Sequence, residues 1–222
     1  SAIGKSKQEP VFRILAGIKF TVIRLGGNTY PELRNAVRTR SFASFTSADK
    51  KPTISNIGIP SLMSTDYPTS KYASNRVDGL GSILKRHGYK TAFFHGGNNG
   101  TMNFYSTSKS NGFEHYYGRN EYNNDKDYDG NWGIFDEPFL QYCVKQIDTL
   151  TKPFHAAFFT LSSHHPYTMP EEHKNRFSKG TLIVHETVSY TDYALRRFFN
   201  EASKCDWFEN TLFIITSDHS GL

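Results

Sequence analysis

The second half of this chain alternates short apolar runs with longer amphipathic segments, and this order constrains its fold more than any other feature. "FHAAFFTLSS" at 154–163 and "TLFIITSD" at 211–218 are apolar runs of strand length, typical of strands buried on both faces. "DEPFLQYCVKQIDTL" at 136–150 and "TVSYTDYALRRFFNEASK" at 187–204 carry helical periodicity. Strands alternating with helices predict an α/β fold, a mostly parallel sheet flanked by helices.

The same order extends upstream. "RVDGLGSILKRHG" at 76–88 predicts a helix ending at Gly88, and "YKTAFFHGG" at 89–97 predicts the next strand. A polar stretch rich in Gly, Asn and Asp then runs over 98–131. It is too long for a simple connection, and loops of that length in a compact domain are usually functional.

Composition narrows the possible functions. The 222 residues suit one α/β domain or a large piece of one, and the net charge of +5 is scattered along the chain. We therefore expect anionic ligands or membrane surfaces rather than nucleic acid. The two cysteines, Cys143 and Cys205, exclude a cysteine-based zinc site and are expected to be buried free thiols. No stretch reaches the roughly 20 apolar residues that span a bilayer.

Polar residues follow all three predicted strands, in "HGGNNG", "SSHHPY" and "SDHSG". Ligands of parallel sheets bind at the carboxyl ends of the strands, so these segments predict a site there. Asp218 and His219 are suited to bind Zn²⁺ or Mn²⁺. The alternative is an aspartate that caps a helix beside an incidental histidine.

Two further histidines are candidates. His164 and His165 are adjacent and so point to opposite sides of an extended segment, with His164 able to donate to an anionic oxygen or act as a general acid. A plain surface loop is the alternative, and it is the interpretation favoured for His165. His95 ends a strand beside two glycines and is either a ligand contact or a structural histidine.

The stretch "DKDYDGNWGIFD" at 125–136 alternates carboxylates as a calcium loop does, but Asp136 stands where an EF-hand has glutamate. The indole of Trp132 can wall a pocket for a sugar or polyol, or pack simply onto the sheet.

Taken together, a series of sequence segments resembles the sulfatase-like alkaline phosphatase superfamily, in its lipoteichoic acid synthase and phosphoglycerol transferase branch. They run from residue 59 to residue 221 in the family's order: "IPSLMS", "LKRHGYKTAFFHGG", "GFEHYYGRNEY", "WGIFDEPFL", "FTLSSHHPYTMPEEHK", "YTDYALRRFF" and "FENTLFIITSDHSG". The resemblance implies an alkaline-phosphatase-like fold and a divalent metal, usually Mn²⁺, with Mg²⁺ or Zn²⁺ as alternatives. It also implies that a phosphoglycerol group passes from an anionic lipid headgroup to an acceptor hydroxyl through a covalent Thr or Ser intermediate.

The resemblance further implies an enzyme at the cell envelope, on the extracytoplasmic face of the cytoplasmic membrane. Its partners would be an anionic lipid headgroup or a glycan or polyol, with no nucleic acid. Membrane contact would come through parts outside this chain.

Carried over to single residues, the resemblance assigns Asp218 and His219 to the metal. It assigns His164, together with Trp132 and Asp127 in the preceding loop, to the substrate. Some relatives have a basic residue two positions after the tryptophan, where this chain has an isoleucine. Phosphate clamping from that position is therefore not expected.

The start of the chain departs from the family. Nothing in residues 1–50 reproduces the family's first strand with its metal-binding glutamate; the one nearby acid, Glu32, does not follow an apolar run. An ungapped alignment puts Ala48 at the nucleophile position, which leaves Thr53 and Ser47 as candidates. We therefore divide the chain into an atypical segment, 1–50, and a partial, apparently truncated sulfatase-like catalytic domain, 51–222.

Two other functions stay open from the sequence. A hydrolase of sulfate or phosphate esters is one, although neither cysteine lies in the "C/S-x-P-x-R" motif of sulfatases. The other is a catalytically inactive domain that binds an anionic ligand, since the first acidic ligand and the nucleophile are both uncertain.

Overall fold

A computed structural model describes residues 18–24, 70–72, 74–75 and 77–217. In these ranges five strands form one sheet in the order β3-β2-β4-β1-β5. The strands are β1 (Ile18–Arg24), β2 (Lys90–His95), β3 (His115–Tyr117), β4 (Phe154–Phe159) and β5 (Thr211–Ser217). The α-helices are α1 (Leu80–Arg86), α2 (Phe104–Ser110), α3 (Arg119–Tyr122), α4 (Asp136–Asp148) and α5 (Val184–Ala202).

The sheet is mostly parallel, as predicted. β2 pairs in parallel with β3 and β4. β1 lies between β4 and β5 and runs antiparallel to both, so β4 and β5 share one direction. β1 itself was not predicted, because residues 1–50 show no clean hydrophobic period; the division of the chain at residue 50 stays a prediction.

Helices α4 and α5 cover one face of the sheet. Phe139, Cys143 and Ile147 of α4 are buried in the main core, as its periodicity predicted. Phe154 of β4 contributes to the same core and packs edge-on against Trp207, which is fully buried. In β4 the first five residues are buried and only the last is partly exposed, which confirms a strand covered on both faces.

The other face carries a second cluster built from Phe93, Phe104, Phe113, Tyr116 and Ala157. Part of it comes from the polar stretch 98–131, which is not one loop: α2, β3 and α3 lie within it. These elements are short, so their hydrophobic periods cover too few residues to be recognised from sequence. Both cysteines are free, Cys143 buried and Cys205 half-buried.

Candidate functional site

The carboxyl ends of three strands meet at one edge of the sheet. His95 ends β2 opposite Phe159 at the end of β4, and Lys19 of β1 pairs with both Phe159 and Thr216 of β5. The predicted metal ligands Asp218 and His219 directly follow β5 in sequence but lie outside the described residues, as do Thr53 and Ser47.

Trp132 and His164 come together at this edge. Their ring centroids are 4.3 Å apart, with an angle of 59° between the planes. The indole Nε1 of Trp132 donates to the carbonyl oxygen of His165 at 2.6 Å. The indole N–H is thus committed to the protein, and Trp132 offers a ligand its aromatic face.

The same carbonyl sets the tautomer of His164. Nδ1 of His164 lies 2.8 Å from the carbonyl oxygen of His165. A carbonyl oxygen only accepts, so Nδ1 carries the proton and Nε2 of the neutral ring keeps its lone pair. The His164 side chain is exposed. Nε2 is therefore the polar atom that this side chain offers to a ligand.

One carboxylate orders the loop that carries Trp132. Oδ1 of Asp129 accepts backbone N–H bonds from Asn131 at 2.7 Å, Trp132 at 2.8 Å and Gly133 at 3.0 Å. Three donors on one oxygen hold the backbone in a tight turn around it. Asp129 is a positioning residue for the indole.

This loop also lies directly against the end of β2. Gly97 and Gly133 form an isolated antiparallel bridge, and the amide of Ile134 donates to the carbonyl of Gly96 at 3.0 Å. A Cβ on Gly133 would lie 2.5 Å from that carbonyl oxygen and 2.6 Å from Cδ1 of Leu161. Only glycine fits this approach of two backbones.

Asp136 ties the start of α4 to the segment that carries His164. Its Oδ1 accepts from the amides of Leu161 at 2.8 Å and Ser162 at 3.2 Å, and its Oδ2 accepts from the Thr191 hydroxyl of α5 at 2.7 Å. Burial raises the pKa of the Asp136 carboxyl, and these hydrogen bonds oppose the rise. Asp136 thus fixes the position of the segment that follows β4 relative to the start of α4.

Asp127 has its carboxylate occupied by the protein. Its Oδ2 accepts from the Tyr122 hydroxyl and from Nδ2 of Asn124, the latter at 2.8 Å. Burial and the neighbouring Asp127 together raise the pKa of Tyr122. The contact of Asp127 with a substrate stays a prediction.

His95 packs against the second cluster, with 1% of its surface exposed. Its ring is 4.6 Å from that of Phe104 and 5.6 Å from that of Phe159, and Nδ1 is 3.4 Å from the Tyr116 hydroxyl. Burial lowers its pKa to about 3, so the ring is neutral. In this arrangement His95 packs the strand end, and its contact with a substrate stays a prediction.

Sequence reasoning missed Asp129 and Asp136 as positioning residues. A signal was present for Asp129, because an aspartate followed by Gly and Asn is typical of a turn closed by its side chain. Asp136 offered none beyond its place at a helix start. Ile134, two positions after Trp132, is 1% exposed in the main core, which accounts for an apolar residue there.

In the described part of the chain, no three His, Cys, Asp or Glu side chains converge to hold a metal ion. None of the helices described is both long and apolar enough to cross a bilayer.

A mostly parallel sheet flanked by helices, with Trp132 and His164 at the carboxyl edge, defines an α/β protein. A solved structure of a protein in the alkaline phosphatase superfamily from Vibrio parahaemolyticus shares this fold. It superposes with a TM-score of 0.62 at 27% identity, over 70% of this chain and 39% of that one. The sulfatase family matches residues 19–221, and the chain belongs to that family.

Its relatives place it near one branch of that family. Lipoteichoic acid synthase 2 of Bacillus subtilis is 27% identical over 156 residues, which are 68% of this chain and 24% of that protein. Phosphoglycerol transferase I of Citrobacter koseri is 30% identical over 150 residues, 63% of this chain and 20% of that protein. The chain thus spans a quarter or less of these two relatives.

Proposed function

We propose that this chain is part of a metal-dependent phosphoglycerol transferase whose Trp132–His164 pair binds the phosphoglycerol headgroup of an anionic lipid. The observation that supports this most is the convergence of both rings on the His165 carbonyl at the carboxyl edge of the sheet. The similarity to lipoteichoic acid synthases and phosphoglycerol transferases supports the same class of reaction.

The two side chains suit the two parts of such a headgroup. An aromatic face packs against the C–H groups of a glycerol, as it does for sugars and polyols. Nε2 of His164 accepts from a glycerol hydroxyl when the ring is neutral and donates to a phosphoryl oxygen when it is protonated. His164 can thereby hold a proton beside the oxygen that leaves or arrives.

The metal and the nucleophile belong to the same proposal. Asp218 and His219 would hold a divalent cation, with Mn²⁺ first and Mg²⁺ or Zn²⁺ as alternatives, which would neutralise charge on the phosphoryl oxygens. Thr53, or else Ser47, would carry the covalent intermediate. The complete protein would act at the extracytoplasmic face of the membrane, on a lipid headgroup or on a glycan or polyol acceptor.

Binding of glycerol 3-phosphate to the chain, followed by NMR titration, tests the site without requiring turnover. We expect His164→Ala and Trp132→Ala each to weaken binding about tenfold, the effect of losing one charged hydrogen bond or one stacked ring. His165→Ala is the matched control, because it keeps the backbone carbonyl on which both rings converge. Equal affinity in His164→Ala and the unmutated chain would refute the proposed site.

The chemical part is tested separately. Equilibrium dialysis with Mn²⁺ should show uptake that Asp218→Ala abolishes. After incubation with phosphatidylglycerol and Mn²⁺, intact-mass spectrometry should show a phosphoglycerol adduct that Thr53→Ala removes. An adduct that persists in Thr53→Ala and disappears in Ser47→Ala would assign the second candidate. Mn²⁺ uptake without any adduct would argue against a transferase and for a domain that only binds.

A further inference from the structure

A basic groove lies at the opposite edge of the sheet from the candidate site. It has a volume of about 500 Å³ and lies between α1 and α2, where Lys85 and Arg86 face Lys109 and Ser110. Helix α1 ends just before β2 begins at Lys90, and α2 ends just before β3 begins at His115. The groove therefore belongs to the amino ends of these strands and shares no lining residue with the Trp132–His164 pair.

Positive charge exceeds negative charge in the groove. Lys85, Arg86 and Lys109 line it against a single carboxylate, Asp78, which pairs with Arg86 at 2.8 Å. The Asp78 carboxylate thus neutralises Arg86, and no carboxylate among the described residues that line the groove pairs with Lys85 or Lys109.

Glu114, at the border of the groove, does not cancel the remaining charge. Its Oε1 is 3.9 Å from the ammonium of Lys85 and 3.5 Å from that of Lys90, so one carboxylate is shared by two lysines. The ammonium of Lys109 donates to the backbone carbonyl of Glu114, a neutral partner. Its positive charge is therefore uncompensated by this bond.

The groove has the donors and the size for a phosphate ester. Ser82 and Ser110 also line the groove, and both residues carry a hydroxyl donor. Ammonium and hydroxyl groups together are a common donor set for phosphate oxygens. The volume of the groove lies within the range of small-molecule sites. The groove is therefore large enough for one phosphoglycerol unit.

We propose that this groove is a second anion site, which binds the phosphate group of a phosphoglycerol ester away from the candidate active site. The binding of a phosphate group is inferred from the groove, whereas the choice of a phosphoglycerol ester rests on the proposed function. The phosphate could be free in solution or be carried by a lipid headgroup, and both would meet the same cations.

The test uses the whole chain carrying Trp132→Ala and His164→Ala, so that any phosphate binding comes from elsewhere. Calorimetric titration with glycerol 3-phosphate is compared with that of the same chain carrying Lys85→Gln and Lys109→Gln in addition. We expect these two changes to raise Kd about tenfold, since they remove the charge of Lys109 and that of Lys85, which has only a shared carboxylate as its partner, but keep the length of the side chains. Lys145→Gln with Lys204→Gln, two exposed lysines on α4 and after α5, is the matched control for net charge.

A second arm identifies the source of the phosphate. Vesicles of phosphatidylglycerol in phosphatidylcholine, and of phosphatidylcholine alone, are sedimented with each variant. Binding of both free ester and anionic vesicles, lost in the groove variant only, supports the site for either source; binding of vesicles alone assigns it to a lipid surface. Equal loss of binding in the groove variant and the charge control would overturn the proposal, because net charge alone would then explain binding. The proposal would also be overturned if the chain bound neither the free ester nor the anionic vesicles.

Discussion

At the scale of single residues, Oδ1 of Asp129 orders the loop that presents Trp132, because it accepts three backbone N–H bonds. We expect Asp129→Ala to leave these donors without their acceptor, which costs about 1–3 kcal/mol where they are shielded from water. Hydrogen exchange of the Trp132 indole should accelerate while that of Trp207 stays slow, and NMR resolves the two indole protons.

Asp129→Asn is the matched control for this prediction, because the amide keeps an oxygen at the same place. It should hold the turn better than alanine does. Unchanged indole exchange in Asp129→Ala would mean that the bridge of Gly133 to Gly97 suffices to position the loop.

The contribution of His155 to the free energy of unfolding depends on pH. It is fully buried in β4, and among the described residues neither ring nitrogen has a hydrogen-bond partner. Burial lowers its pKa from 6.5 to about 4. Below pH 6.5 His155 therefore binds a proton in the unfolded chain but not in the folded chain. The free energy of unfolding is highest above that pH and falls as the pH falls toward 4.

We expect His155→Leu to remove this acid sensitivity. Between about pH 6.5 and about pH 4.5 the free energy of unfolding of the unmutated chain should fall relative to the variant by up to about 1.4 kcal/mol per pH unit. Urea unfolding at several pH values measures this difference. A difference that is constant with pH would show that His155 binds its proton as readily in the folded chain as in the unfolded one.

At the scale of elements, the approach of the Trp132 loop to the end of β2 depends on glycine at position 133. A Cβ there would lie 2.5 Å from a backbone carbonyl, so Gly133→Ala must push the loop away from β2. We expect a loss of about 1–3 kcal/mol in unfolding free energy, the usual cost of overpacking, and weaker binding of glycerol 3-phosphate.

Gly100→Ala is the matched control for that change. Nothing lies within 4 Å of a Cβ built on Gly100, and its φ of −84° suits any residue. Its stability and ligand binding should equal those of the unmutated chain. Equal behaviour of the two alanine variants would show that the strand end can shift to accommodate the methyl group.

At the scale of the whole molecule, β1 joins the two halves of the sheet. It pairs with β4 on one side and β5 on the other, with Thr21 opposite Ala157 and Ile214. Thr21→Pro removes an N–H from this central strand and constrains φ, and the acceptor left without its donor costs about 1–3 kcal/mol. We expect the amides of β5 to lose protection from hydrogen exchange, as measured by mass spectrometry.

Thr21→Val keeps the N–H and the β-branched shape, so it should leave the protection of β5 intact. If the proline variant protected β5 as well as valine does, β5 would not depend on β1, and the sheet order would need to be revised.

Much of the fold could be predicted because its signals are local. The period of α4 placed Phe139, Cys143 and Ile147 inward, and the apolar run of β4 indicated burial on both faces. A helix end at Gly88 is confirmed by its φ of +81°. Such features depend on neighbours within a few residues, and the sequence contains all of them.

The candidate site could be predicted only in part. His164 and Trp132 were recognised as single residues, through position and resemblance, while their contact through one carbonyl came from the structure. The bonds of Asp136 span 25 residues to Leu161 and 55 to Thr191. Hydrogen bonds of that separation, like the insertion of β1 between β4 and β5, arise from chain packing, which leaves no periodic pattern in the sequence. Residue chemistry was thus readable from the sequence, whereas which groups meet was decided by the tertiary structure.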